Sequence, residues 1–262
     1  MKVWKTLRSR EVLYASLLLA AVLLLWELSS RITRSSFFPG PVEVLRSFST
    51  LLTRGDVEGI RLHEHALHSL LRVLGGFALA CLTAIPLGIL MGLREGVYRS
   101  SKPVLEPLRF IPPLAWIPLV ILLLSGYWRY LFVIWLGAFF PILINTMSGI
   151  KRTNPTLVEV SKSFGAKNRT TVKKVVIPSA LPEITSGMRV GLGVGWMCIV
   201  AAEMIGGENV GLGRLILKYS ELLRVDMIVA GMIAIGIVGL LMNEILLQTE
   251  RRLFVWRKEV SL

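Results

Sequence analysis

Few residues in this chain could do chemistry, and they fall into two sets. Glu159, Ser161, Phe164, Gly165, Ala166 and Pro178 share one polar, basic stretch, EVSKSFGAKNRTTVKKVVIP, which lies between apolar segments. Arg72, Arg109, Pro112, Pro113, Asn145 and Glu203 are polar or helix-breaking residues within or beside the apolar segments themselves. An arginine near the end of a membrane span can snorkel to the interface or, where solutes cross, contact an anion. His63, His65 and His68 contain a His-x-His pair, but carboxylate or cysteine partners at zinc-ligand spacing are missing. They read as polar side chains at an interface, with no metal. There is no GxxxxGK[ST] phosphate loop and no HExxH, so neither nucleotide binding nor zinc hydrolysis has a motif in this chain.

These residues must be positioned by a membrane protein. Of 262 residues, 53% are hydrophobic and only 18% charged, with mean hydropathy +0.64, whereas soluble domains are about 25% charged. Apolar runs of about 20 residues are long enough to cross a bilayer. The net charge of +13 sits mainly in short loops beside those runs, and no nucleic-acid reader motif accompanies it. Cys81 and Cys198 each lie in an apolar run and offer no disulfide or metal spacing. The basic head MKVWKTLRSR precedes an apolar run that ends in Trp26-Glu27-Leu28 without a small-x-small cleavage pattern. It reads as a retained first span, not a signal peptide.

The fold class expected is all-α and integral to the membrane. After a tail at 1–11, one membrane domain over 12–262 holds six spans, at about 12–28, 69–93, 104–124, 130–150, 187–205 and 227–247, with a polar loop at 151–185. Between the first two spans, Val42, Leu45, Phe48, Leu51 and Leu52 recur at helical spacing and predict a short amphipathic surface helix. Arg72 is placed near the outer end of the second span. Gly88 and Gly92 allow close helix approach. Pro107, Pro112, Pro113 and Pro118 break the third span, which therefore faces protein or a water-filled path. There Glu106 and Arg109, near the inner end, are spaced to pair. Gly187, Gly191 and Gly195 form two overlapping GxxxG pairs, so the fifth span packs tightly on a partner helix.

Six spans put both termini and the 151–185 loop on one side. That side carries four Lys or Arg in the N-terminal tail, four from Arg94 to Arg109, eight from Lys151 to Arg189 and four at the end, 20 in all. The other side carries five before His63, Arg129 and three from Arg214 to Arg224, a total of 9. Basic loops stay inside, so the polar loop and both termini are expected in the cytoplasm.

Local chemistry predicts the shape of that loop. Pro155 fits a first helical turn. Leu157, Val158 and Phe164 mark a weakly amphipathic helix, and Gly165 can take the left-handed conformation that ends it. Asn168 or Thr170 could cap a second helix through Val172, Val175 and Val176, closed by Pro178. The product is a basic helix–turn–helix shelf with Phe164 at its turn, Glu159 bonded or paired to steady it, and Gly165 making the turn tight.

The spacing of Glu159-Val160-Ser161, Gly165 and Val175-Val176-Ile177-Pro178 resembles the cytoplasmic signature of ATP-binding-cassette importer permeases: Glu-Ala-Ala, three residues, Gly, nine residues, Ile-x-Leu-Pro. Val160 and Ser161 depart from its two alanines. FPGP at 38–41, RFIPPLAWIPL at 109–119, FFPILINT at 139–146, PSALP at 178–182 and GLGVGWMCIVAAE at 191–203 also look like the branch that handles nitrate, taurine and aliphatic sulfonates. The resemblance implies a type I importer fold and a homodimer. Its helix around Glu159–Gly165 would be a coupling helix, seated on one of two separate ATPase subunits that hold ATP and Mg. It further implies an extracytoplasmic solute-binding protein and residence in the inner membrane. No cofactor is expected on this chain, nor any catalytic residue. Taurine or another sulfonate is the first substrate expected, since 191–203 looks most like the taurine type, and nitrate the next. The competing class is a secondary transporter or channel. That class uses intramembrane Asp, Glu or His for ion coupling, and here only Glu203, Glu244 and the Glu106/Arg109 pair lie near membrane depth. A membrane-embedded enzyme finds no supporting motif.

Overall fold

The computed structural model describes residues 2–253, with side chains described for residues 12–252. Arg257 and Lys258 of the basic tail lie outside the described residues. Eleven α-helices follow one another: α1 Lys2–Thr33, α2 Pro41–Thr53, α3 Leu62–Leu93, α4 Glu95–Phe110, α5 Ile117–Leu123, α6 Tyr127–Lys151, α7 Pro155–Ser163, α8 Asn168–Thr171, α9 Ile177–Ile205, α10 Leu212–Glu221 and α11 Val225–Leu253. A 3₁₀ turn at Pro113–Trp116 precedes α5, and a π turn at Val172–Val176 joins α8 to α9. No strand occurs among the described residues, as the apolar composition predicts. Five helices are long and apolar enough to cross a membrane, and the bent pair α4 and Pro113–Leu123 makes a sixth candidate.

The bundle is organised around α6, which is gripped on two faces by helices that present small residues. On α3, Gly76, Ala80, Ala84, Gly88 and Gly92 recur every fourth residue and are aligned on one face. A Cβ at Gly76 would stand 2.6 Å from Ile134 Cβ, at Gly88 2.8 Å from Thr146 Cβ, and at Gly92 2.6 Å from Ile150 Cβ. From the other side, Gly187 would bring a Cβ to 2.6 Å of Asn145 Cβ, and Gly191 to 2.9 Å of the Ala138 carbonyl. In lipid, apolar surface does not drive helices together, and this backbone proximity supplies the contact. Tyr130, Ile134 and Ile142 of α6 are completely buried as a result.

Several boundaries differ from the sequence reading. Residues 2–11 are helical and continuous with the first span. The second span begins at Leu62, so all three histidines belong to its first two turns. On α2 the buried face is Val44, Ser47 and Leu51, while Val42, Leu45 and Leu52 are exposed. Ser47, a polar residue, joins the buried face through Asp226 of α11 at 2.6 Å, and Val42, Leu45 and Leu52 form the outer apolar face of the expected surface helix. The polar loop after the fifth span contains a helix of its own, α10, which sequence periodicity did not reveal.

Pro178 does not close the polar unit. The helix runs unbroken from Asn168 to Ile205, 38 residues, through Pro178 and Pro182. The π turn directly before Pro178 widens the winding where the proline ring would otherwise press on the preceding carbonyls. A single rod of roughly 55 Å results.

Candidate functional site

Three polar arrangements stand out, one at each end of the rod and one beside its middle. The first is the basic block at 154–178. Asn154 caps α7 by accepting the Thr156 backbone N–H at 2.9 Å, with Pro155 in the first turn. Gly165 adopts φ 77°. Its N–H donates to the Lys162 carbonyl at 2.8 Å, and the Ala166 N–H donates to the Ser161 carbonyl at 3.1 Å. Those two bonds are the reciprocal pair that ends a helix on a left-handed glycine. The turn leaves Phe164 87% exposed, with Leu157 and Val160 also outside. The Ser161 and Thr171 hydroxyls, 3.1 Å apart, tie α7 to the rod, and Val158 packs into a cluster with Ile150, Val176 and Ala180.

Two expectations for this block are corrected. The N-cap of α8 is Lys167 without a side-chain cap, so neither Asn168 nor Thr170 plays that part. The Glu159 side chain is exposed, and among the described residues it joins no ion pair; only its carbonyl is engaged, by the Ser163 hydroxyl at 3.1 Å. The shelf is steadied by Ser161, Thr171 and Val158 in its place.

At the far end of the rod lies a buried polar clamp. Arg72 does not snorkel: it is 3% exposed and donates to the Glu203 carboxylate at 2.8 Å, to the Val210 carbonyl at 2.7 Å and to Glu208 at 2.5 Å. Its guanidinium also lies 4.4 Å over the Tyr130 ring. Glu203 is 1% exposed and accepts from the Ser69 hydroxyl at 2.8 Å and the Gly213 N–H at 3.0 Å. His65, placed at the interface by sequence, is fully buried; its Nδ1 accepts the Gly211 N–H at 3.0 Å. The remaining ring nitrogen then carries the proton, and it faces Asp56 Oδ2 at 3.4 Å. Asp56 also takes Lys218 at 2.6 Å. Burial pushes the Asp56 carboxyl up, but Lys218 and the Ile60 and Glu58 N–H groups outweigh it and hold it below the ordinary carboxylate range. Gly211, at φ 148°, could not carry a side chain, since a Cβ would meet Glu203 Cδ at 2.4 Å. Sequence reasoning missed Ser69, Glu208, Gly211 and Lys218, whose partners are more than 130 residues away or across a loop.

The third arrangement is the broken span. After Phe110 the chain turns by 86° at Ile111-Pro112 into the short pair Pro113–Leu123. Arg109 shares a cavity of about 90 Å³ with Tyr98, Lys102, Leu105 and Glu106 of α4, Phe140, Leu143, Ile144 and Met147 of α6, and Met91 of α3. The expected Glu106–Arg109 pair does not form: Glu106 lies 3.8 Å from Lys102, and Arg109 stacks 4.9 Å over Phe110. Asn145 sits apart from this cavity, in the α6–α9 contact, donating to the Pro141 carbonyl at 2.8 Å.

The family model of the binding-protein-dependent transport system inner membrane component matches residues 84–249. A putative ABC transporter permease protein of Methanocaldococcus jannaschii is 41% identical over 96% of this chain and 95% of that protein. The taurine transport system permease protein of Escherichia coli is 34% identical over 98% of this chain and 94% of that protein. Among solved structures, a chain of a bacterial ABC transporter that imports the acidic polysaccharide alginate superposes with a TM-score of 0.55 at 18% identity, covering 97% of this chain and 100% of that one. That likeness is one of fold.

Proposed function

The chain belongs to the family of binding-protein-dependent transport system inner membrane components, and from that premise we propose that it is the multi-pass permease subunit of an ATP-driven importer for a small anion. Taurine or another aliphatic sulfonate is the substrate we favour, in keeping with the taurine permease relative, with nitrate next. In this reading two copies form the pathway in the inner membrane, with both termini and the 154–178 block in the cytoplasm. Two separate ATPase subunits bind ATP and Mg, and an extracytoplasmic protein delivers the solute.

One observation carries the reading: the exposed Phe164 shelf is built on the foot of the rod whose top holds Glu203. Phe164, Leu157 and Val160 present apolar surface on a capped, cross-bonded turn. A protein groove would cover such a surface. Because α8 continues into α9 without a joint, displacement at the shelf is displacement of α9. A flexible loop would dissipate that displacement and could not bias two states of the bundle. Against an ion-coupled carrier stands the family match, while Glu203 serves as the partner of a buried arginine, bonded by Arg72, Ser69 and Gly213.

The experiment is co-purification of this chain from its native membranes to recover an associated ATPase, followed by reconstitution of both with the solute-binding protein. ATP-dependent accumulation of taurine, absent without the ATPase, is the expected result. Accumulation driven by an ion gradient alone would replace this reading with that of a secondary transporter.

A further inference from the structure

The two ends of the Arg72 guanidinium are engaged differently. Nη1 donates to Glu203 at 2.8 Å and to the Val210 carbonyl at 2.7 Å. Among the described residues Nη2 donates to one group, the Glu208 carboxylate, at 2.5 Å. Glu203, 1% exposed, already neutralises the arginine, so Glu208 brings a second carboxylate to a guanidinium that carries one charge. It is also the accessible one of the two, with its side chain 41% exposed. Burial of Arg72 requires a partner such as Glu203; it does not require Glu208.

Two further donors stand open beside Glu208. Tyr130 is fully buried, and its hydroxyl has no hydrogen-bond partner among the described residues. That hydroxyl abuts Gly206, where a Cβ would come within 2.5 Å of it. Arg129 donates through Nη1 to the Gly206 carbonyl, while its Nε is buried and likewise without a partner. Buried donors are nearly always met, and one left open calls for an explanation. Arg72, Arg129 and Tyr130 thus border the Gly206–Glu208 segment, with the Arg72 guanidinium lying over the Tyr130 ring. Taking Glu208 away would leave a positive charge in excess and three donors without acceptors: Arg72 Nη2, Arg129 Nε and the Tyr130 hydroxyl.

The backbone lets Glu208 leave. Gly207 holds φ 79° with open space around it, and Gly211 holds φ 148°. Glu208, Asn209 and Val210 lie between these two glycines. Beyond them the loop is tied down by the Gly211 N–H on His65 and the Gly213 N–H on Glu203. Glu208 can therefore swing into solvent while Glu203 keeps its hold on Arg72.

We propose that Arg72 Nη2, Arg129 Nε and the Tyr130 hydroxyl form an oxyanion site, which the Glu208 carboxylate fills as a tethered stand-in until a free oxyanion displaces it. The guest is a singly charged group with two or more oxygens on one atom, the geometry that a guanidinium fork accepts. Displacement frees residues 207–210, the stretch that directly follows the end of α9 at Ile205. Arrival of an anion at this end of the rod is thereby registered by the loop that leaves the rod. The stand-in also sets a threshold, since apparent affinity falls in proportion to the fraction of time the site is vacant. The inference rests on the importer reading for the source of the anion, and not for the existence of the site.

The test uses the full-length chain in lipid nanodiscs without ATPase, with sodium methanesulfonate as the probe in sodium chloride at constant ionic strength. Calorimetric titration should show weak binding to the wild type and about tenfold tighter binding to Glu208→Gln, whose neutral amide no longer competes as a charge. Adding Arg129→Gln should reverse most of that gain. In the unmodified chain, methanesulfonate should raise hydrogen–deuterium exchange at residues 207–210 and leave α3 and α6 unchanged, a measurement that needs no variant to fold. Binding to Glu208→Gln no tighter than to the wild type, or exchange at 207–210 that methanesulfonate does not alter, overturns the proposal and leaves Glu208 a structural member of the clamp. ATP-driven uptake without anion binding at this loop strikes the site and keeps the importer. Anion binding here without ATP-driven uptake keeps the site and strikes the importer.

Discussion

The Arg72 guanidinium donates to the Glu203 carboxylate at 2.8 Å although 131 residues separate the two and both are withdrawn from solvent. The bond closes α3 onto the top of α9 and, through Gly213 and Val210, fixes the loop that leads to α10. Breaking one side of a buried pair leaves an uncompensated charge and typically costs about 3–5 kcal/mol. Arg72→Ala is expected to lower the detergent melting temperature sharply, and the double variant with Glu203→Gln to lose less than the two singles added together. Additive losses in that cycle would mean that the two side chains do not interact.

Helix approach gives a second expectation. Gly187→Ala and Gly191→Ala push a methyl group against Asn145 Cβ and the Ala138 carbonyl, where neither neighbour can swing away. Overpacking of this kind costs about 1–3 kcal/mol. Gly193→Ala, which meets nothing within 4 Å, should be neutral or stabilising, since alanine is the better helix former. Thermal denaturation of the three variants side by side checks the face; equal losses would show that α9 does not present that face to α6.

The acid limb of stability should report on Asp56. Its carboxyl is held below the ordinary value of about 3.9 by Lys218 and two backbone N–H groups. A carboxylate with a depressed folded pKa stabilises at pH above the unfolded value, and that contribution disappears as pH falls through the folded one. Stability should therefore drop below about pH 4 in the wild type, with a shallower drop in Asp56→Asn, read from melting temperature against pH. Identical acid profiles would remove Asp56 from the account.

Much of this architecture was legible because it is local. Pro155 and Gly165 act through the backbone within a few residues, and the glycine repeat of α9 shows in its own four-residue period, so their types specify their roles. The small-residue stripe of α3 has the same four-residue period in the sequence, with Gly88 and Gly92 as its plainest pair. The clamp was not readable. Arg72 and Glu203 each look like an interfacial charge until folding brings them together, and Ser47 looks solvated until Asp226 reaches it. Pro178 misled for another reason: a proline usually stops a helix, and here the π turn before it makes room for α9 to continue.

Phe164 separates docking from folding. Being 87% exposed, it contributes little to the bundle, and surface substitutions of this sort stay within about 0.5 kcal/mol. Phe164→Ala should melt like the wild type yet capture less ATPase in a pull-down from mixed membranes. Undiminished capture would move the docking surface elsewhere.

The central claim, that a separate ATPase drives this bundle through the Gly165 turn, is tested most directly with Gly165→Pro. Proline's φ near −65° cannot meet the observed 77°, so the shelf should lose its turn while the spans remain. In proteoliposomes containing the permease, its ATPase and its binding protein, hydrolysis and uptake are measured together. The account predicts that ATP is still hydrolysed while taurine uptake falls by about tenfold or more, equivalent to at least about 1.4 kcal/mol of lost coupling. Uptake at the wild-type rate would contradict it.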